Sequence, residues 1–502
     1  GSEKLQKSGG AVLRNIIDGG YQGELLVVNK RYDSVAGCPT FKDITKLPEV
    51  DLAILAIPAA DCPDVVDVLC NKQGCGSVII LSSGFGEFSQ EGLALEKKIA
   101  EIADSTGTTI IGPNCVGLVT PSYSGVFSRP VVKTATGGVD FISNSGTTIM
   151  FTVELAVQHG LVFSGIYCVG NSIQTGVEDI LEYLDQSYVH GVSAPVKMLY
   201  IESMSNPEKF LKHASSLISK GAQIAAIKSG YSEAGGRAAT SHTGALISPD
   251  KAVSAMFRKA GIVRCRGRAD LVSMAAAMTF PKPAGGRMAI VTHAGGPAVM
   301  LTDALSSNGI EIPHLEGPQY DELLTKLNSG SYVGNPIDIL TTGTPQQLDD
   351  VLEVLSKEPT IDAIAVILGK QGLGDYESGL EVISKWRVKC QKPVYPILPS
   401  VENAREEIRA FHSSGTISFH DEVVFAEVLT RLLKRPEPIS GCCLPPVDKY
   451  IIRKIIDSAD NGYLNPEEVH TLLEAAGIDT VEEAIIYNKE GVEPRQMIEG
   501  LF

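Results

Sequence analysis

The stretch Val139-Asp-Phe-Ile-Ser-Asn-Ser-Gly-Thr-Thr-Ile-Met150 decides the fold. Val139, Phe141 and Ile142 form a short apolar run, and small polar residues cut it off where a strand gives way to a helix over Ser143–Thr148. A brief apolar run bounded by Ser and Gly reads as a buried parallel strand. The helix that follows at once is then the crossover of a βα unit. The construction returns at Met288-Ala-Ile-Val-Thr-His-Ala-Gly-Gly-Pro-Ala-Val-Met300, with its turn at Thr292–Gly296 and Pro297 suited to a first helical turn.

Outward from these junctions the alternation covers most of the chain. Apolar runs at Glu24–Asn29, Asp51–Ile57, Ser77–Leu81 and Thr109–Gly112 are separated by helical patterns such as Pro63–Cys70 and Gly92–Ala103. Further runs follow at Val139–Ser143, Phe163–Val169, Val196–Ile201 and Ile224–Lys228. A third set lies near Arg287–Thr292, Ala363–Leu368 and Pro393–Pro396. Repeated βα units predict an α/β fold of parallel sheets with helices on both faces. The Pro281–Pro283 and Gly285–Gly286 cluster reads as a linker. The blocks are 1–122, 123–280, 281–445 and 446–502, and in the last Leu464–Glu468 caps a helix through Ala476.

Five hundred and two residues exceed a single module, and 44% apolar with 20% charged residues is an ordinary globular composition. Forty-three basic against 59 acidic residues give −16, which argues against nucleic acid as a partner. A polyanionic ligand is therefore expected to bind at local features such as helix N-termini. No apolar run approaches the ~20 residues of a membrane span. Ten scattered cysteines without a C-x-x-C pair predict neither a zinc cage nor a disulfide framework, and point to a reducing, cytoplasmic setting.

The chemistry concentrates in Lys228-Ser-Gly-Tyr-Ser-Glu-Ala-Gly-Gly-Arg-Ala-Ala-Thr-Ser-His-Thr-Gly-Ala-Leu246, read as a strand end and a flexible Gly-rich loop. Little apolar surrounds His242, so it is not a core residue; alone, it reads as a surface histidine. The two strand–turn–helix junctions change that reading, since each offers free backbone N–H groups and a positive helix end. Together they could grip a phosphate that His242 carries.

These three elements resemble the NDP-forming (ADP-forming) acyl-CoA synthetases, the superfamily of succinyl-CoA synthetase and the single-chain ADP-forming acetyl-CoA synthetases. Ser241-His-Thr-Gly-Ala-Leu246 is similar to the family's phosphohistidine motif, and Ser143–Thr148 and His293–Pro297 to its two power-helix starts. The resemblance implies a Rossmann-like CoA-binding domain, two flavodoxin-like ligase domains and part of an ATP-grasp domain. The implied reaction makes an acyl-CoA from a carboxylic acid, CoA and ATP, releasing ADP and phosphate through acyl phosphate and phosphohistidine intermediates. His242 is then the phosphate carrier and Glu202, in Tyr200-Ile-Glu202, the carboxylate that orients it. Ser145, Gly146, Thr147, Gly295 and Gly296 are the groups expected to steady the phosphate.

By the same resemblance CoA is met by Ser2, Lys30, Arg31, Pro58, Ser83 and Asn114. The last stands in Gly112-Pro-Asn-Cys-Val-Gly117, the most specific of these motifs. Val28-Asn29-Lys30-Arg31 departs from the family's Val-Asn-Pro-Lys, which leaves Arg31, then Lys30, as the cation for the CoA phosphates. Mg2+ is expected to accompany ATP, with no protein metal ligands identifiable. A homodimer in the cytoplasm, bound to neither membrane nor nucleic acid, completes the expectation. Gly1-Ser2 lacks the strand a Rossmann unit needs ahead of it. Gln496–Phe502 is similar to a strand deep inside an ATP-grasp domain, so the sequence is expected to be part of a longer polypeptide. Within the fold the alternatives are an ATP- and CoA-dependent lyase, such as one acting on dimethylsulfoniopropionate, and a non-catalytic CoA-binding regulator. Cys115, lacking a partner base, and Trp386, on a helical pattern, read as packing residues.

Overall fold

In the computed structural model the central feature is a seven-stranded sheet with the order Val263–Cys265, Gln223–Lys228, Val196–Ile201, Thr134–Ser143, Phe163–Cys168, Gly117–Thr120 and Tyr123–Val126. Its first five strands run parallel, and the last two form an antiparallel hairpin on the edge. The residues described are 2–243, 250–370, 375–439, 447–460 and 462–480, with the backbone alone for 239–243. They fall in two units, Gly1–Pro438 and Ile439–Phe502.

Among the described residues the first unit holds three further sheets. Leu52–Leu55, Ser77–Ile80 and Thr109–Ile111 form one parallel sheet. Ile337–Asp338, Met288–Thr292, Ala363–Ile367 and Val394–Ile397 form another. The helices expected at Pro63–Cys70 and Gly92–Ala103 are Cys62–Lys72 and Gln90–Thr106, and Ser89 caps the second through its side chain. Glu24–Asn29 differs from expectation. Only Val27–Val28 is extended, and it pairs with Cys38–Phe41 in a small separate sheet. Val263–Cys265 is a strand that periodicity could not reveal, since three residues carry no pattern.

One apolar core runs through the first unit, from Val12 and Ile79 through Phe141 and Met198 to Ile290, Tyr395 and Leu429. A second fills the far side of the Met288–Thr292 sheet and includes Trp386, fully buried with its Nε1 donating to Asp349 at 2.7 Å. The packing reading of Trp386 holds. In the second unit Asn465 and Glu468 cap the helix Pro466–Ala475 reciprocally. The segment Gln496–Phe502, compared above with an ATP-grasp strand, lies outside the described residues.

Candidate functional site

Register in the central sheet brings the strand ends to one edge. Ser143 pairs with Tyr200 and Cys168, and Ile201 with Lys228. Whatever follows each of these residues emerges side by side, where open parallel sheets receive ligands.

The turn after Ser143 is stiff. Ser143 Oγ accepts from Ser145 N–H at 2.9 Å, and Ser145 Oγ accepts from Thr148 N–H at the start of the helix Gly146–Gln158. Capping uses the Thr148 donor; in a helix the first N–H groups, here Gly146 and Thr147, have no intrahelical acceptor and face an incoming anion. Buried Asn144 links this turn to its neighbours. Its Oδ1 accepts from Glu202 N–H at 3.0 Å, and its Nδ2 donates to Ser172 Oγ at 3.0 Å and the Gly170 carbonyl at 3.4 Å. Glu202, Ser145, Gly146 and Thr147 are thereby brought together.

Two residues that the sequence reading did not assign join them. Lys228 Nζ donates to the carbonyls of Glu202 at 3.0 Å and Ser229 at 2.8 Å, clamping adjacent strand ends. Burial pushes its ammonium below the ordinary value, and the Glu202 charge opposes that shift. Burial raises the pKa of the Tyr200 phenol, and the Glu202 charge adds to the rise. Lys228 ended a strand and Tyr200 preceded Glu202 in the motifs, so both were visible. Their contacts cross between strands and were not.

The segment expected as a flexible loop is largely helical over Glu233–Thr243. Ser232 starts it, its Oγ accepting from Gly235 N–H at 3.0 Å, and an Arg237–Glu233 pair one turn apart braces it. Ala234, Ala238 and Ala239 are strong helix formers, which outweighs the two glycines. His242 belongs to the last turn, and its side chain lies outside the described residues.

The second junction repeats the first on the other sheet. Thr292 Oγ1 accepts from Ala294 N–H at 2.9 Å and donates to the Ala294 carbonyl at 2.8 Å, ahead of the helix Gly295–Ser307. Gly295 and Gly296 stand exposed at its start, as an anion site requires.

In the first block, Leu55 pairs with Ile80 and Ile79 with Ile111, so Pro58, Ser83 and Asn114 all follow aligned strand ends. Ser82 Oγ accepts from Ile57 N–H at 3.1 Å, and the Ser82 carbonyl accepts from Asn114 N–H at 2.8 Å, which joins the three turns. Ser2, Lys30 and Arg31 lie elsewhere in the block. Ser2 Oγ accepts from Lys4 N–H ahead of the helix Ser8–Asp18, and Lys30 and Arg31 are exposed beyond the Val27–Val28 strand. Burial holds the Cys115 thiol well above its ordinary pKa, so it is no nucleophile. Among the described residues no group of acidic, His or Cys side chains could hold a metal ion. No helix among them is long and apolar enough to cross a membrane.

Comparison with known proteins gives consistent matches. Residues 1–121 match the family described as CoA binding domain, and residues 136–278 the succinyl-CoA ligase like flavodoxin domain. An ADP-forming acetate–CoA ligase II alpha subunit of Pyrococcus furiosus is 33% identical, over 73% of this chain and 79% of the relative. An ADP-forming acetate–CoA ligase I of Archaeoglobus fulgidus is 29% identical over 99% of this chain and 71% of its own length. In fold, a dinucleotide forming acetyl-coenzyme A synthetase 1 of Ca. Korarchaeum cryptofilum superposes with a TM-score of 0.77 at 24% identity. It covers 86% of this chain and 93% of its own.

Proposed function

The chain belongs to the ADP-forming acyl-CoA ligases, and from that premise we propose that His242 carries phosphate between a small carboxylic acid and ADP or ATP, with CoA as acyl acceptor. Acid–CoA ligation with release of ADP is the activity of the family, and CoA and ATP are its substrates. The arrangement around Asn144 carries the assignment of residues. One buried amide ties the anion-ready start of the helix Gly146–Gln158 to the backbone of Glu202, and the clamped end of Lys228 leads from there toward His242.

Each group has a defined task. The Gly146 and Thr147 N–H groups and the helix dipole stabilise phosphoryl oxygens as charge develops. For that transfer the Glu202 carboxylate would accept a hydrogen bond from one nitrogen of the His242 ring, leaving the other nitrogen unprotonated and able to attack phosphorus. In the forward direction the phosphoryl group leaves histidine for the acid, giving an acyl phosphate. The CoA thiolate then displaces phosphate from the acyl carbon. Gly295 and Gly296 offer a second set of donors for the same phosphate. Pro58, Ser83 and Asn114 line the edge where CoA binds, with Ser2, Lys30 and Arg31 toward its phosphates. The turn before Asn114 is tightly packed: Gly112 has a φ of 99°, and a Cβ there would stand 2.5 Å from the Ile80 carbonyl oxygen. ATP brings Mg2+ with it. A homodimer in the cytoplasm remains part of the proposal.

Incubation with acetyl-CoA and radiolabelled phosphate tests the reading, because the reverse reaction must label the protein. The wild-type chain should acquire acid-labile label, and His242→Ala should acquire none. Label that persists in His242→Ala would sink the assignment.

A further inference from the structure

The segment Gly170–Gln174, which leaves the strand Phe163–Cys168, is fastened to the first block along its whole length. Asn171 N–H donates to the Pro113 carbonyl at 2.9 Å and Ile173 N–H to the Gly112 carbonyl at 3.3 Å. Gln174 accepts from Ile110 N–H at 2.7 Å. A Cβ at Gly170 would meet the Pro113 carbonyl oxygen at 2.1 Å, so the two backbones touch. Ser172 holds a left-handed φ of 58°, and Asn114 one of 56°.

Within this seam the Asn171 side chain has one orientation. Its Nδ2 donates to Glu87 Oε2 at 2.6 Å and to Glu96 Oε1 at 2.7 Å. Ionised carboxylates only accept, so both amide hydrogens are committed and the carbonyl oxygen must point the other way. There it accepts from Asn114 Nδ2 at 3.3 Å. Asn114 is thereby oriented in turn, and among the described residues its own carbonyl oxygen and second amide hydrogen make no further hydrogen bond. Glu87 is fixed as well, because its Oε1 accepts from Gly84 N–H at 2.6 Å in the Ser83 turn. The far end of the segment reaches the phosphate site, since Gly170 and Ser172 both accept from Asn144, which holds Glu202.

We propose that Asn171 is a positioning residue for CoA: it aims Asn114 at the ligand and joins the CoA edge, through Ser172 and Asn144, to the Glu202 side of the phosphate site. The inference rests on the reading that CoA binds at the Asn114 turn. Hydrogen bonds to charged groups make the orientation strong enough to matter. An aspartate in place of Asn171 has the same shape but cannot donate, and it faces two carboxylates.

Calorimetric titration of the full chain with CoA provides the test. Wild type should bind. Asn171→Asp should weaken CoA on the order of tenfold or more. When Glu96→Gln is added to Asn171→Asp, the new amide can donate to the introduced carboxylate, and CoA affinity should recover at least in part. An unaltered affinity in Asn171→Asp overturns the inference, as does a double variant that binds no better than Asn171→Asp. Failure of the wild type to bind CoA would instead overturn the underlying CoA reading.

Discussion

At Gly146 a Cβ would stand 2.3 Å from Val116 Cγ1, so the residue that opens the helix Gly146–Gln158 is fixed by a neighbour thirty positions away. Val116 has no long flexible end to withdraw. Gly146→Ala should therefore cost about 1–3 kcal/mol in denaturant unfolding. Adding Val116→Ala should return part of that, a non-additivity that a double-mutant cycle reads directly. Chemistry at residue scale is tested by Glu202→Gln, which keeps shape but loses the charge proposed to orient His242. Phosphoryl transfer should fall on the order of a hundredfold while the CoA dissociation constant stays put. Equal loss of both would mean that Glu202 holds structure instead. Glu202 was named in the sequence only through the resemblance of Tyr200-Ile-Glu202 to the family's motif, since an apolar run ending in a glutamate carries no role by itself. Asn144, inside the same quoted motif as Ser145, was not, since its worth comes from Glu202, Gly170 and Ser172 in the turns that follow other strands.

Among the elements, the helix Gly146–Gln158 ends against the third block, and histidines gather there. The His159 and His420 rings stack with centroids 4.4 Å apart. His159 Nδ1 lies 2.9 Å from the Ser418 carbonyl, and His412 Nε2 the same distance from Ser418 Oγ. The charges acting on them, one another and Arg387, are all of one sign. Burial lowers His159, takes His412 to about 4 and His420 to about 3, from an ordinary 6.5. The folded state thus refuses protons that the unfolded chain binds below 6.5. Stability is complete above that pH and is lost as pH falls toward 4 and then 3. The melting temperature should drop between pH 7 and pH 5. His412→Gln, which keeps a partner for Ser418, should flatten the drop. Most helices and strands were legible from apolar runs and caps, whereas the three-residue strand Val263–Cys265 was not. The Glu233–Thr243 segment misled because its two glycines read as loop while its alanines favoured helix.

In the whole molecule, the core that includes Val12, Phe141, Ile290 and Leu429 makes the blocks of the first unit interdependent, although each has its own sheet. That unit should unfold in one cooperative transition by calorimetry, not in three. Asp270 lies on a seam between blocks: Nη1 and Nη2 of Arg431, on the helix Glu422–Leu433, both donate to its carboxylate from across the interface. Asp270→Asn leaves a half-buried cation short of its partner and should cost about 1–3 kcal/mol. Because the core is shared, the whole transition should move, without a new shoulder.

The sequence by itself determined the α/β class, the strand–turn–helix junctions and the family, because these depend on local runs, turn chemistry and short motifs. Only the tertiary structure decided which turns share an edge. Strand register sets that, and it aligns Ser143 with Tyr200 and Ile201 with Lys228. The same holds for the Asn144, Asn171 and Asn114 amides, whose orientations come from partners supplied by different strands and turns. A hydrogen bond between distant segments leaves no periodicity behind, so it appears only once the sheets have formed.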